Sequence, residues 1–527
     1  MDTTTLRMTT TTFHCLEQSL SSENTSQEQF AFGVCSIARG RQTKIYLLTE
    51  LLLPEKGDLA FQGAAGVGPS RSYQTAAYGL ALLQRRSVVD MHTHPFQNVP
   101  RFSCIDECES KKSAQFIQKC FPPQSTMVML VFNADVSCFQ GRVLDRNTGT
   151  FKEIEAIEVL GKELRHIPRD PTPRLESDEK YARHLLVPGW DQPKLGKHKV
   201  FLAGLGGNGA VILSGLLSLG VGTGSGWIVA CDPDRIEASN LPRIAYAKPS
   251  DIGKQKARVS ASFARTKEPK ARGYCFSCGV EDTRLLPWIK ESHLLIGALD
   301  RDAPRSYLNQ LSARYLIPFL DVAAEIIPGK DGCQAAGQIR FVEPGATACL
   351  VCSGSLDYSR VDPQRLSSED LEKERRVGYI RGLDESPTPA VLDLNGVIGN
   401  LALSHFRRMV FGEPLDGREY VFYDRQQGRI VSAHLPKPNP DCPVCGRMGE
   451  IGRGDIEEET IDSGNDSCAS FRVVKGKVSR ESKVEEHTEK KREERQTRET
   501  GEKSSKDGHE TPREVSDTSI STSGHGG

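Results

Sequence analysis

The chain has little excess charge of either sign. Its 68 Lys and Arg residues are balanced by 69 Asp and Glu residues, for a formal net charge of -1 at pH 7. A whole-chain nucleic-acid binder carries a basic excess, so nucleic acid is not expected as a partner. Aromatic residues are sparse, with only three tryptophans against 48 glycines. That balance fits a loop-rich α/β protein better than a coiled coil or a collagen-like chain. The start, MDTTTLRMTTTTF, lacks a basic flank followed by an apolar core, so no secretory signal is expected. One uncharged stretch, 200–231, is long enough to resemble a membrane span. It carries nine glycines and reads instead as strand, tight loop, helix and strand, so no membrane association is expected. No repeat of fixed period is present. Fifteen cysteines without an export signal point to a reducing, cytoplasmic setting, where thiols bind metal or stay buried rather than pair.

At 527 residues the chain has room for roughly two to four domains at about 100–200 residues each. Residues 1–165 mix short apolar runs (IYLLTELLLP, STMVMLVF) with helical stretches. The proline-rich segment 166–177 reads as a linker. From 178 to 449, strand-like runs alternate with helical ones: KVFLAGL, AVILSGLLSLGV, GWIVACD, HLLIGALD, IPFLDVA. This βαβ pattern predicts a Rossmann-like, mostly parallel sheet covered by helices. The overall expectation is therefore an α/β chain. Residues 450–527 contain one aromatic residue, Phe471, among many Glu, Lys, Arg, Ser and Thr. Such a segment cannot bury enough apolar surface to offset its ordering entropy, and disorder is expected there.

The N-terminal region carries the string MHTHPFQNVPRFSCID. His92 and His94 are two apart, so on a strand both imidazoles point to one face and can reach one metal. Asp106 follows His94 by twelve residues and can complete a three-ligand set. Two His and one carboxylate leave a coordination position for water, the arrangement of a catalytic zinc site. The string H-T-H-P, seven residues, then S-x-x-D resembles the JAB/MPN metalloprotease family with its JAMM motif. The resemblance implies an α/β metalloprotease domain over 1–165. It assigns catalytic zinc to His92, His94 and Asp106, and stabilisation of the tetrahedral intermediate to Ser103. It also implies a general base far upstream, ahead of a small, apolar strand. Glu28 in QEQFAFGVC has that context, and Glu50 in LLTELLLP is the second candidate. The implied reaction is cleavage of peptide or isopeptide bonds after the C-terminus of a ubiquitin-like protein.

The second region carries GLGGNG, with Gly204, Gly206, Gly207 and Gly209, between a strand and an apolar helix. Glycines let backbone approach phosphates, and a helix N-terminus favours their charge. Asp232, at the end of the next strand, can bind a ribose hydroxyl. To this point an NAD site and an ATP site fit equally. The run CDPDRIEASNLPRI, then DIGKQKA and ALDRDAPR, resembles the ThiF/MoeB/ubiquitin-activating-enzyme family. That resemblance implies ATP-dependent adenylation of the C-terminal glycine of a ubiquitin-like or sulfur-carrier protein ending in Gly-Gly. It places Asp232 on the ribose and Asn240, Arg243 and Lys256 on the phosphates. Asp300 falls on the magnesium ligand, and Arg183 on an arginine that reaches ATP across a homodimer.

Cys349-x-x-Cys352 and Cys442-x-x-Cys445 form a split four-thiolate set, a strong signal for structural zinc. A further pair, Cys275 and Cys278, lies on an expected strand and reads as incidental. No cysteine lies between Cys352 and Cys442. The position where modifier-transferring relatives keep a nucleophilic cysteine falls at Leu392, just before an expected helix, and the nearest other thiol is Cys333. The expectation is a bifunctional enzyme that serves either a conjugating enzyme or a sulfur donor. A scaffold binding a ubiquitin-like partner without chemistry is the third reading.

Overall fold

The computed structural model describes residues 3–21, 26–64, 66–169, 179–329, 332–356, 389–415, 417–455 and 468–470. The N-terminal half holds strands β1 (Thr3–Thr9), β2 (Phe30–Arg39), β3 (Thr43–Leu52), β4 (Leu59–Gly63), β5 (Gly66–Pro69), β6 (Ser87–Thr93), β7 (Met127–Phe132), β8 (Phe139–Asp145), β9 (Thr150–Glu153), β10 (Ala156–Leu160) and β11 (Leu164–Ile167). Three helices accompany them: α1 (Thr10–Leu20), α2 (Arg71–Leu83) and α3 (Cys104–Cys120). Nine of the strands form one sheet in the order β11-β10-β1-β3-β2-β6-β7-β8-β9, and β4 and β5 form a separate hairpin. Each helix starts at a hydroxyl that accepts a backbone N–H of the first turn: Thr9 from Thr12, Ser70 from Tyr73, Ser103 from Asp106. The central strands are buried on both faces. Leu6, Met8, Val89 and Leu130 belong to one apolar layer, and Phe32, Val34, Val88 and Met127 to the other.

The second half holds β12 (Lys199–Ala203), β13 (Trp227–Cys231), β14 (Gly273–Phe276), β15 (Leu294–Gly297), β16 (Phe319–Gly329), β17 (Gly332–Val342), β18 (Tyr420–Asp424), β19 (Arg429–Ala433) and β20 (Cys468–Ser470). Its helices are α4 (Gln192–Gly196), α5 (Gly207–Ser218), α6 (Lys256–Lys267), α7 (Leu286–Glu291), α8 (Asp302–Tyr315) and α9 (Leu392–Phe411). The strand order is β19-β18-β17-β16-β15-β12-β13-β14-β20. All pairings from β14 to β16 are parallel, while the hairpins toward β19 and the β14–β20 edge are antiparallel. The continuous apolar strands VFLA, WIVAC and LLIG are what a parallel sheet buried on both faces requires. Helices α5 and α9 approach closely because Gly215 faces Leu403 and Gly399 faces Val211; a Cβ at Gly215 would lie 2.0 Å from a Leu403 methyl.

The two halves share their interior. Ala38, Ile45 and Leu47 pack with Trp288, Leu311 and Tyr315. Arg7 of β1, fully buried, donates to the carbonyls of Lys290 and Tyr315 and to Glu158 of β10. The sequence division at 165 falls inside β11, which continues to Ile167 as the edge strand of the N-terminal sheet. Likewise the segment expected to be disordered starts too early at 450. The carbonyl of Gly452 accepts from Ser36, Asp455 pairs with Lys290 and accepts from Arg39 N, and β20 pairs with β14. These residues are held because they dock against both halves, a contact that local composition does not encode. The rest of the expected tail, 456–467 and 471–527, and most of the linker, 170–177, lie outside the described residues. No helix among the described residues is long and apolar enough to cross a membrane.

Candidate functional site

In the N-terminal half, β6 is the strand that carries the histidines. It pairs antiparallel with β2 (Phe30 opposite His92) and parallel with β7 (His92 opposite Val131). Because β6 is flanked on both sides, His92 and His94 are held at its end and both are buried. Glu28 immediately precedes β2 and so lies across from His94, with 3.8 Å between Glu28 Oε1 and His94 Nε2. The backbone N–H of Glu28 donates to the Gly63 carbonyl, and Gln62 Nε2 donates to the Glu28 carbonyl. The β4–β5 hairpin thereby fixes the position of this carboxylate.

Asp106 enters from the first turn of α3. Ser103 and Asp106 form a capping box: Ser103 Oγ accepts Asp106 N at 3.2 Å, and Asp106 Oδ2 accepts Ser103 N at 2.6 Å. The helix start therefore presents Asp106 in one orientation. Its Oδ1 is 3.3 Å from His92 Nε2 and its Oδ2 is 3.5 Å from His94 Nε2. The three side chains form a set that can hold one metal ion. Their chemistry fits zinc, with two borderline imidazoles and one carboxylate. The set opens into a cleft of about 320 Å³ lined by Glu28, Ser103, Phe61, Phe96 and Ile105 among others.

The electrostatics assign different roles to the two carboxyl groups. Burial pushes Glu28 up to about 7, with His92 opposing and Asp106 adding to the rise. Burial also acts upward on Asp106, but hydrogen bonds from His92 and from Ser103 N outweigh it and hold that carboxyl well below its ordinary value. Geometry separates the two as well: Asp106 lies within 3.5 Å of both imidazoles, whereas Glu28 stands 3.8 Å from His94 at the edge of the cleft. Sequence reasoning did not single out Asp90, whose Oδ1 lies 3.8 Å from His92 Nδ1 and orients that ring from behind. The signal was available: Asp90 is two residues before His92 and shares its face of the strand. Glu50 lies elsewhere, where it accepts from Gln84 and pairs with Arg86.

In the second half, the glycine loop joins β12 to α5. Gly204 has φ +90°, and a Cβ there would meet the Ala298 carbonyl at 2.3 Å. A Cβ at Gly209 would lie 1.9 Å from the Gly204 carbonyl, so this glycine permits the helix to start against the loop. At Gly206, the residue that caps α5, a Cβ would meet nothing within 4 Å. The space beside Gly206 is therefore open to a ligand, directly at a helix N-terminus. Asp232, at the end of β13, is tied to this loop: Oδ2 accepts Leu205 N at 2.7 Å and Oδ1 accepts Asp234 N. Lys256 Nζ pairs with Asp234 at 2.7 Å and lies 3.9 Å from Asp232. Gly204, Gly206, Gly207, Gly209, Asp232 and Lys256 are thus brought together.

Asn240 caps the short turn 238–240 through Glu237 N, and Arg243 donates to the Ser239 carbonyl. Both lie on the segment between β13 and α6. Arg183 and Asp300 are exposed. Among the described residues no hydrogen bond or ion pair joins either of them to the glycine loop. Sequence reasoning also missed Asn395 of α9, which is buried against Gly207 and donates to Asn208 Oδ1 at 2.8 Å. Its spacing from the loop, 187 residues, carries no local signal.

The four cysteines converge as their pairing suggested. Cys349 Sγ is 3.7 Å from Cys442 Sγ and Cys352 Sγ is 3.3 Å from Cys445 Sγ, in a set that can hold a metal ion. Cys275 is buried in β14, and neither it nor Cys278 joins a potential ligand cluster among the described residues. Leu392 is the first residue of α9 rather than a residue ahead of it. Cys333 is exposed at the start of β17.

Curated proteins similar to this chain match between 29% and 53% of it. A SAMP-activating enzyme E1 from Haloferax volcanii is 27% identical over 284 residues, which is 53% of this chain and 93% of that protein. The NEDD8-activating enzyme E1 catalytic subunit of Saccharomyces cerevisiae is 32% identical over 29% of this chain and 50% of its own length. Ubiquitin-like modifier-activating enzyme 1 of Homo sapiens is 30% identical over 32% of this chain and 16% of its own length. The chain therefore spans half or less of these two eukaryotic relatives. Among solved structures, E. coli MccB with MccA-N7isoASN aligns with a TM-score of 0.41 at 18% identity, over 52% of this chain and 76% of that one. The ThiF family model matches residues 181–444, half of the chain, and takes in the glycine loop, Asp232, Lys256 and, of the clustered cysteines, Cys349, Cys352 and Cys442; the chain belongs to the ThiF family.

Proposed function

We propose that the chain is a bifunctional enzyme acting on the C-terminus of a ubiquitin-like protein. The second half adenylates the terminal glycine with ATP and magnesium. The N-terminal half is a JAB/MPN zinc metallopeptidase that cleaves peptide or isopeptide bonds at that terminus. Family membership supports the first activity, together with the likeness to enzymes named for activating SAMP and NEDD8. The observation that carries the second is Glu28, a carboxyl pushed up to about 7 that faces the His92, His94 and Asp106 set across an open cleft.

In the adenylating half the open space at Gly206 and the N-terminus of α5 receive phosphate oxygens, with Asn240 donating a hydrogen bond and Arg243 and Lys256 compensating their charge. Asp232 holds the loop and offers its remaining lone pairs to the ribose. Asp300 holds magnesium, and Arg183 completes the site from the second copy of a homodimer. In the peptidase half, His92, His94 and Asp106 would hold zinc, which would supply a water of lowered pKa and a Lewis acid for the scissile carbonyl. Glu28 takes the proton from the attacking water and returns it to the leaving amine. Ser103 Oγ, which accepts Asp106 N, keeps its own proton to donate to the developing oxyanion. The four cysteines hold structural zinc.

A second reading is favoured by one observation: the 89 positions between Cys352 and Cys442 contain no cysteine to carry a thioester. The adenylate would then go to a sulfur donor, and the partner would be a sulfur carrier rather than a conjugated modifier. ATP–pyrophosphate exchange with candidate proteins ending in Gly-Gly tests the adenylating half. Exchange that needs both the partner and Asp300, and that falls at least about 100-fold in Asp300→Ala, is expected. Exchange undiminished by Asp300→Ala would overturn the assignment. Thiocarboxylate on the released partner, read by mass, would select the sulfur reading over conjugation.

A further inference from the structure

Outside both sites, three histidines meet at the junction of the two halves. His166 lies on β11, paired with Glu158 of β10. His198 and His293 directly precede β12 and β15, which are neighbours in the second sheet. Pairing of β12 with β15 places His198 beside His293, 95 positions away in sequence, and the packing of the N-terminal sheet against the second brings in His166. Ring centroids are 4.6 Å apart for His166–His293 and 5.7 Å for each of the other two pairs. One ring nitrogen from each histidine lies within 4.8 Å of the other two. His198 is 0% exposed and His293 1%.

The polar atoms here are not satisfied. Both nitrogens of His198 and Nε2 of His166 are buried without a hydrogen-bond partner, and Nε2 of His293 has only the Glu158 carboxylate, 3.5 Å away. A single orphan of this kind is uncommon in a folded interior, and orphans on three rings that each bring one nitrogen within 4.8 Å of the others call for a bound species. Burial holds the rings below the usual imidazole range, His166 at about 4 and His293 at about 3, so each offers a neutral lone pair near pH 7. A carboxylate is adjacent: Glu158 Oε1 is 3.5 Å from His293 Nε2, and Glu158 is itself held by Arg7.

We propose that His166, His198 and His293 form a third metal site, one that takes a divalent transition-metal ion such as zinc and fastens the N-terminal half to the adenylating half. Three neutral imidazoles suit zinc, with Glu158 or a water as the fourth donor. His293 sets the proton balance. Its Nδ1 accepts Lys199 N at 3.2 Å, so in the metal-free cluster the ring proton resides on Nε2 and faces Glu158. Metal capture moves that proton to Nδ1 and gives up the long backbone hydrogen bond, and no proton is released. The location makes the site a clasp rather than a reaction centre: it lies between the two halves and shares none of the residues that line the Glu28 cleft.

The test is metal content of the full chain after saturation with zinc and desalting, compared with His166→Gln and His198→Ala. One equivalent of zinc fewer per chain is expected in each variant. The four-cysteine site is followed separately by cobalt substitution, where the thiolate-to-cobalt charge-transfer band should keep wild-type intensity. Unchanged zinc content in His166→Gln overturns the proposal. His166 sits on an edge strand and is partly exposed, so this variant remains decisive if His198→Ala does not fold. An equivalent lost together with the charge-transfer band also overturns it, because the loss then belongs to the cysteine site.

Discussion

The histidine–aspartate set and the four-cysteine set each bring together side chains that could hold a metal ion, and they differ in what surrounds them. Cys349, Cys352, Cys442 and Cys445 come from two loops that close on each other within an apolar cluster. Four thiolates fill a tetrahedron and leave no position for a reactant. His92, His94 and Asp106 supply three donors, and the fourth side faces a cleft that also contains Glu28 and Ser103. The difference teaches that ligand count decides whether a site can do chemistry, and that the groups beyond the ligands decide which chemistry. A second comparison runs along the same line. Glu28 and Glu343 are both buried carboxyls pushed up to about 7. Glu28 faces the cleft, whereas Glu343 lies at the junction, where its Oε2 accepts Lys162 N and its Oε1 has no partner.

The largest expected effect breaks the first comparison at its open end. Glu28→Gln should retain zinc but lower cleavage of a ubiquitin-like fusion by about 10²- to 10⁴-fold, the usual loss on removing a general base. Zinc analysis beside the cleavage assay checks this. Full activity in that variant would show that the cleft, open as it is, does not use Glu28. The closed set should respond in the opposite manner. Cys349→Ser with Cys352→Ser should lose one zinc and lower the thermal midpoint by on the order of 10 °C, as expected when a structural metal is removed from a domain of this size. Calorimetry that found the midpoint unmoved would make the thiolates something other than a structural centre.

The smallest effect sharpens the comparison of the two carboxyls. Between the ordinary value of 4.5 and about 7, folded Glu343 keeps a proton that the unfolded chain has lost. Stability from this group is therefore full below 4.5 and is lost as pH rises to about 7, amounting to roughly 3 kcal/mol at most. In Glu343→Gln the amide oxygen can still accept Lys162 N, and no titration remains. The variant should gain a few degrees in midpoint over wild type at pH 8 and little or nothing at pH 4.5. A gap that does not grow with pH would mean Glu343 is already ionised when folded.

Much of the candidate chemistry was legible because it is written in short spacings. H-x-H on a strand, S-x-x-D at a helix start, GxGxxG between strand and helix, and two CxxC pairs each encode a local geometry. Partners defined only by packing were not legible. Asn395 reaches the glycine loop because Gly215 and Gly399 let α9 lie against α5. Arg183 and Asp300, placed by resemblance, stand exposed, and no local spacing ties either of them to the glycine loop. Residues 450–455 read as tail by composition but are held by Ser36, Arg39 and Lys290, far away in sequence.

By itself, then, the sequence determined the ligand types, the order of the two halves and the βαβ character of the second, because periodicity and near-neighbour spacing act within a few residues. Only the tertiary structure decided that Glu28 rather than Glu50 faces the histidines. It alone joined the two sheets through Arg7 and Glu158, and it gathered His166, His198 and His293 at their junction. Those outcomes depend on strand order and on burial. Both are set when distant segments pack to remove apolar surface from water, and no local pattern records which buried polar groups that packing will bring face to face.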